Sequence, residues 1–173
     1  MLFEELSING IYLITLDLHE DERGFFARQF CEQTFREAGL CSHFPQCNLS
    51  YNARRGTLRG MHYQCAPHEE IKVVSCVKGA IFDVALDLRK DSSSYGKWVS
   101  VELSEQNHKL LYIPKGVAHG FQSLADDTMV YYQMSECYYP ESARTVFYAD
   151  ERYGISWPIE EKIISEKDRA VHG

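Results

Sequence analysis

Apolar and polar residues alternate with period two along most of the chain, the signature of strands rather than helices. The clearest run is residues 80–88. Phe82, Val84, Leu86 and Leu88 fall on one side, and Ile81, Asp83, Ala85 and Asp87 on the other. Two aspartates on one side predict a strand with a single buried face. Shorter runs of the same kind cover residues 11–18, 44–51, 70–77, 98–103, 109–113 and 129–138. Gly, Asn, Asp, Ser or Pro separates them, the spacing of an all-β sandwich or barrel. Residues 32–38 read instead as a helix, with Gly39 placed to end it. A second short helix is expected near the C-terminus. The pattern predicts an antiparallel barrel or jelly roll with one or two short peripheral helices, whose mouth can hold a ligand.

The 173 residues fit one domain, 1–173, long enough to bury a core. Neither repeats nor low-complexity tracts interrupt it, and Ser92–Ser94 reads as a turn rather than a linker. A formal charge of −7 argues against a nucleic-acid partner, which needs clustered Lys and Arg. A pocket can still gather a few basic groups on an acidic body. The start, Met-Leu-Phe-Glu-Glu-Leu, lacks the features of a signal peptide. No run reaches the roughly 20 apolar residues of a membrane helix. Six cysteines are scattered without a CxxC pair, which suits reduced structural thiols in a cytoplasmic protein with no membrane association.

Several routes to chemistry are missing. Neither GxGxxG nor GxxxxGK[ST] occurs, and GxSxG is absent as well. Three clusters remain. Arg59 and His62 sit in the strand-like segment Thr57–Gln64, with Lys72 on the next. A Pro-x-Gly turn at Pro114–Gly116 delivers His119 into a strand. Tyr131, Tyr132, Tyr138 and Tyr139 lie within nine residues. A lone histidine is more often structural than catalytic, and strand tyrosines are usually packing residues. The residue chemistry by itself reaches a β-barrel with a polar pocket.

At these residues the chain resembles the dTDP-4-dehydrorhamnose 3,5-epimerase family, cupin-fold enzymes acting on nucleotide-linked 4-keto-6-deoxy sugars. The motifs run in order: Asp21-Glu22-Arg23-Gly24-Phe25-Phe26, Gln46-x-Asn48-x-Ser50, Leu58 to Gln64, Phe82 to Arg89 and Tyr95-Gly96-Lys97-Trp98. Ile113 to Phe121, Gly154-Ile155-x-Trp157-Pro158 and Ser165-x-Lys167-Asp168 complete them. The resemblance spans residues 11–168. It implies a cupin-type jelly roll, a nucleoside-diphosphate sugar as substrate, a homodimer and no cofactor. The N-terminal strand becomes a candidate for crossing between subunits.

Carried over residue by residue, the resemblance makes His62 the base, oriented by Asp168. Tyr132 returns a proton on the opposite face, and Lys72 stabilises the enolate oxygen. Arg23, Phe26, Gln46, Asn48, Arg59, His119, Tyr138 and Lys167 line the ligand site. The chemistry suits these side chains. A proton on carbon beside a ketone is acidic because the carbanion delocalises onto oxygen. A neutral imidazole can take that proton near neutral pH, a carboxylate on its other nitrogen fixes the tautomer, and an ammonium meets the developing charge.

Two positions depart from the family pattern. Arg28 stands where the family usually has Glu, and Ala143, beside Arg144, replaces a second Glu. A carboxylate accepts hydrogen bonds and suits the N3–H of thymine or uracil. Arginine only donates and suits acceptors such as those of cytosine or guanine. The departures leave two readings: a nucleotide other than dTDP, such as CDP or GDP, or an Arg28 that points to solvent or grips a phosphate instead. Two other classes compete with the epimerase reading. A metal-dependent cupin oxygenase would need the His-x-His that is missing here, since Tyr63 and Gln64 follow His62. A non-catalytic sugar-nucleotide binding cupin would bind ligand without exchanging carbon-bound protons.

Overall fold

The alternating segments form strands that pair into two facing sheets. A computed structural model describes residues 1–170, and the last three residues of the expected domain lie outside the described residues. In chain order the strands are β1 (Leu2–Glu5), β2 (Tyr12–Thr15), β3 (Leu18–Asp21), β4 (Gly24–Ala27), β5 (Gln46–Asn52), β6 (Thr57–Gln64) and β7 (Lys72–Lys78). They continue with β8 (Ala80–Asp87), β9 (Trp98–Ser104), β10 (Lys109–Ile113), β11 (Val117–Ser123), β12 (Thr128–Met134), β13 (Ala143–Thr145) and β14 (Ile163–Ile164). The helices are α1 (Glu32–Glu37) and α2 (Glu166–Arg169).

One sheet has the order β1-β2-β10-β7-β12-β5, and the other β13-β6-β11-β8-β9 with β14 added alongside β6. All but the β14–β6 pair are antiparallel. This is the expected all-β, cupin-type jelly roll with two short peripheral helices. Val74, Leu111, Val130, Ile81, Leu103 and Phe121 meet between the sheets. Outside the first sheet, Phe35 of α1 packs with Ile14, Val73 and Leu110. Burying such side chains stabilises the fold by about 1.5–3 kcal/mol each. Gly39 ends α1 at a φ of 72°, in the left-handed region glycine favours.

Three expectations about strands need correction. β8 is buried on both faces, not one. Val84 and Leu86 pack outward with Met61 and Ala118 under Trp98, Tyr153 and Trp157, while Ile81 and Ala85 face the core between the sheets. Asp83 and Asp87, taken as marks of a solvent face, are fully buried. Both find partners inside the protein, Asp83 through Oδ1 with His119 and Asp87 with Arg89, Ser92 and Ser94. Second, residues 11–18 are not one strand: β2 ends at Thr15, and β3 leaves to form a two-stranded ribbon with β4. Third, β12 ends at Met134, because residues 137–139 leave the sheet and bind the side chains of Gln46 and Gln64.

Candidate active site

A cavity of about 1040 Å³ opens between the sheets. His62, Arg59, Lys72, Tyr132, His119, Gln46, Asn48, Tyr138 and Lys167 all line it. His62 and His119 are direct cross-strand neighbours on β6 and β11. Those strands come close because Gly60 and Gly120 meet without side chains: a Cβ on Gly60 would stand 2.5 Å from Gly120 Cα. Gly60 also holds a φ of 124°, which L side chains rarely adopt.

Asp168 reaches His62 from α2, 106 residues away, with 2.6 Å between Oδ1 and Nε2. The Asp168 side chain is buried, and Ser165 caps the helix by accepting the Asp168 N–H at 3.2 Å. Burial raises the Asp168 carboxyl, but the His62 hydrogen bond and charge, the Gly60 N–H and Ser165 together outweigh it. The net effect holds it below the usual carboxylate value. An ionised carboxylate therefore faces Nε2, and a neutral His62 keeps its proton there and its lone pair on Nδ1.

Tyr132 comes from β12 in the opposite sheet, and its hydroxyl lies 3.3 Å from Ser50 Oγ. Burial pushes the phenol above its ordinary value, the Ser50 bond lowers it, and Asp83 raises it further. Tyr132 is thus a protonated donor at neutral pH. Lys72 Nζ donates to the His62 carbonyl and to Glu70 Oε1, each at 2.8 Å, and both members of the pair are buried. Arg59 Nε donates to Asn52 Oδ1 at 2.8 Å. Gln46 accepts the Tyr138 N–H at 3.0 Å and donates to Asn48 Oδ1 at 3.2 Å.

Arg23, Phe26 and Arg28 are not brought to this cavity. They lie on or just after the exposed β3–β4 ribbon, with Phe26 71% exposed and Arg23 paired to Asp21. The ribbon pairs with neither sheet, and none of the three side chains lines the cavity. Ala143 does line the cavity. Sequence reasoning missed Asp83, Glu70, Gln64 and Ser50. Glu70 was legible in principle, because alternation puts residues 70 and 72 on one side of an extended segment. Among the described residues, no three His, Cys, Asp or Glu side chains converge as a metal set. The Nε2 atoms of His62 and His119 both face carboxylates instead.

Known proteins resemble this chain in sequence and in fold. The family model for dTDP-4-dehydrorhamnose 3,5-epimerase matches residues 5–173. The dTDP-4-dehydrorhamnose 3,5-epimerase of Methanothermobacter thermautotrophicus is 44% identical over 170 residues, covering 96% of this chain and 91% of its own length. A crystal structure of that enzyme from Bacillus anthracis, with TDP and PPi bound, superposes with a TM-score of 0.96 at 37% identity, covering 99% of this chain and 98% of that one. A 3'-monoepimerase from Streptomyces bikiniensis, in complex with dTDP-quinovose, gives a TM-score of 0.88 at 34% identity over 94% of this chain and 83% of that one. With the matches running nearly end to end in both sequence and fold, the chain is an isomerase that belongs to the dTDP-4-dehydrorhamnose 3,5-epimerase family.

Proposed function

We propose that the chain epimerises a nucleotide-linked 4-keto-6-deoxy sugar at C3, C5 or both, in deoxysugar biosynthesis. The observation that carries this reading is His62 in one sheet, held by Asp168 of α2, and Tyr132 in the other, both at one cavity. A sugar ring between the sheets has one face toward a base and the other toward an acid.

In this reading, His62 Nδ1 removes the proton from the carbon beside the ketone. The C–H electron pair becomes the enolate double bond and the carbonyl π electrons move to oxygen. Lys72 meets that negative charge, and Asp168 stabilises the His62 imidazolium. Tyr132 then protonates the same carbon from the opposite face, which inverts it. His62 releases its proton to solvent and Tyr132 regains one, which restores the enzyme. These residues serve either carbon, so they do not choose between C3 and C5.

The site works as a homodimer in this proposal. Phe25 and Phe26 are exposed on a ribbon outside both sheets, where a second subunit would cover them. Arg23, Phe26 and Arg28 then reach the partner's cavity. Arg28 and the loss of a carboxylate at Ala143 favour a base rich in acceptors, so the nucleotide is CDP or GDP rather than dTDP.

One experiment tests these points together. The protein is incubated in D2O with 4-keto-6-deoxy sugars linked to dTDP, UDP, CDP and GDP. Deuterium at C3, C5 or both, read by mass and NMR, names the reaction. Fastest exchange and tightest binding with dTDP would overturn the nucleotide assignment. No exchange with any of them would overturn the epimerase reading itself. His62→Asn should lower exchange by about 10²-fold or more while leaving binding largely intact.

A further inference from the structure

Two histidines, each held by a buried carboxylate, stand side by side in the cavity, and the proton transfers above use only one. His119 is the direct cross-strand neighbour of His62 and holds Asp83 Oδ1 at 2.7 Å through Nε2. Asp83 sits in the middle of β8, fully buried, with buried Ile81 and Ala85 on the same side of the strand. Its other oxygen, Oδ2, has no hydrogen-bond partner among the described residues. A buried carboxylate with an unmatched oxygen carries a desolvation cost, and a well-packed apolar pair in place of Asp83 and His119 together would often be as stable or more so. Burial holds the Asp83 carboxyl above its ordinary value, and the His119 ring and the Lys72 ammonium offset only part of that rise. Stability therefore does not account for Asp83.

The polar groups that share the cavity account for it better. Lys72, Arg59 and the Tyr132 hydroxyl all present N–H or O–H donors. A sugar hydroxyl both accepts and donates, so a site that orients one also needs acceptors, and His119 shares the cavity with Ser50, Glu136 and Asp150 in that capacity. His62 Nδ1 is an acceptor, but it is committed to the carbon-bound proton. His119 Nδ1 has no hydrogen-bond partner among the described residues, and His119 lines the cavity with its ring edge-on to Tyr132, centroids 6.0 Å apart. The 2.7 Å contact between His119 Nε2 and Asp83 Oδ1 holds one proton; with that proton on Nε2, a neutral His119 donates to the carboxylate and has its Nδ1 lone pair free.

We propose that Asp83 is a positioning residue that fixes His119 as the Nε2–H tautomer, so that Nδ1 accepts a hydrogen bond from a hydroxyl of the bound sugar. The sugar in this statement rests on the function proposed above, whereas the tautomer does not. Asp83 acts only through His119 and touches no substrate.

Long-range proton–nitrogen NMR of the free, unmodified protein reads the tautomer directly, with His119→Asn used to assign the signals. A protonated Nε2 and an unprotonated Nδ1 are expected, and a proton on Nδ1 would overturn the proposal. Asp83→Asn keeps the shape but offers the ring a donor as well as an acceptor. It should remove the single-tautomer signature and lower exchange by about tenfold or more in kcat/KM. The double variant Asp83→Asn with His119→Asn should exchange within about twofold of His119→Asn alone. Losses that multiply would mean that Asp83 acts independently of His119, and would overturn it. The NMR arm needs neither turnover nor a folded Asp83 variant, so it decides the tautomer even if the epimerase reading fails.

Discussion

Lys72 and Asp168 show how single buried charges are kept in register for chemistry. Lys72 spends two of its three N–H donors on Glu70 and on the His62 carbonyl. The ammonium is thereby tied to the strand that carries the base. Asp168 is ionised because its hydrogen bonds outweigh the cost of its burial. That has a consequence for acid stability. A carboxyl held below its unfolded value contributes stability that is complete above about pH 4 and is lost as the pH falls through the lower folded value. Thermal melts from pH 6 to pH 3 should therefore show a drop in Tm that is shallower in Asp168→Asn. Equal slopes in the two proteins would remove the carboxylate from the account.

At the scale of elements, the active site depends on how closely β6 and β11 approach. Gly60 faces Gly120 across that pair, and a Cβ at Gly60 would also stand 2.9 Å from the His119 carbonyl. Gly60→Ala thus combines a backbone clash with a φ that alanine resists. It should destabilise the protein by about 3 kcal/mol or more, measured by urea unfolding. Since His62 and His119 sit on these two strands, exchange activity should fall well before the protein unfolds. α2 is the opposite case. It has four residues and one buried side chain, Asp168, so it positions a carboxylate more than it builds the core.

At the scale of the whole molecule, the unmatched feature is the ribbon of β3 and β4. Phe26 is one of the most exposed large apolar side chains, and Arg23 and Arg28 lie beside it, away from the cavity. A dimer that exchanges ribbons would complete each cavity with the partner's arm. Subunit complementation checks this. Arg23→Ala and His62→Asn place their defects in different halves of such a site. Equal mixing of the two weakly active variants should restore about one quarter of wild-type exchange, since half the dimers are mixed and each has one intact site. No recovery after verified subunit exchange would show that each chain closes its own cavity.

Period-two alternation and turn residues carried most of the strands, because side-chain direction in a strand is a local property. The helix expected at residues 32–38 was legible from its local pattern and Gly39, and it spans 32–37; His62, Lys72, Tyr132 and His119 stood out as clusters, while Asp168 came only through the family resemblance. What a side chain meets across 36 or 106 residues is not local, so Asp83–His119 and His62–Asp168 became pairs only on folding. The double burial of β8 escaped the alternation because an aspartate marks solvent until a distant partner satisfies it. Strand pattern, residue types and family resemblance are local or linear properties, readable along the chain. Only the tertiary structure decided which sheet each group projects from, which carboxylate holds which imidazole, and that the ribbon residues lie outside their own cavity.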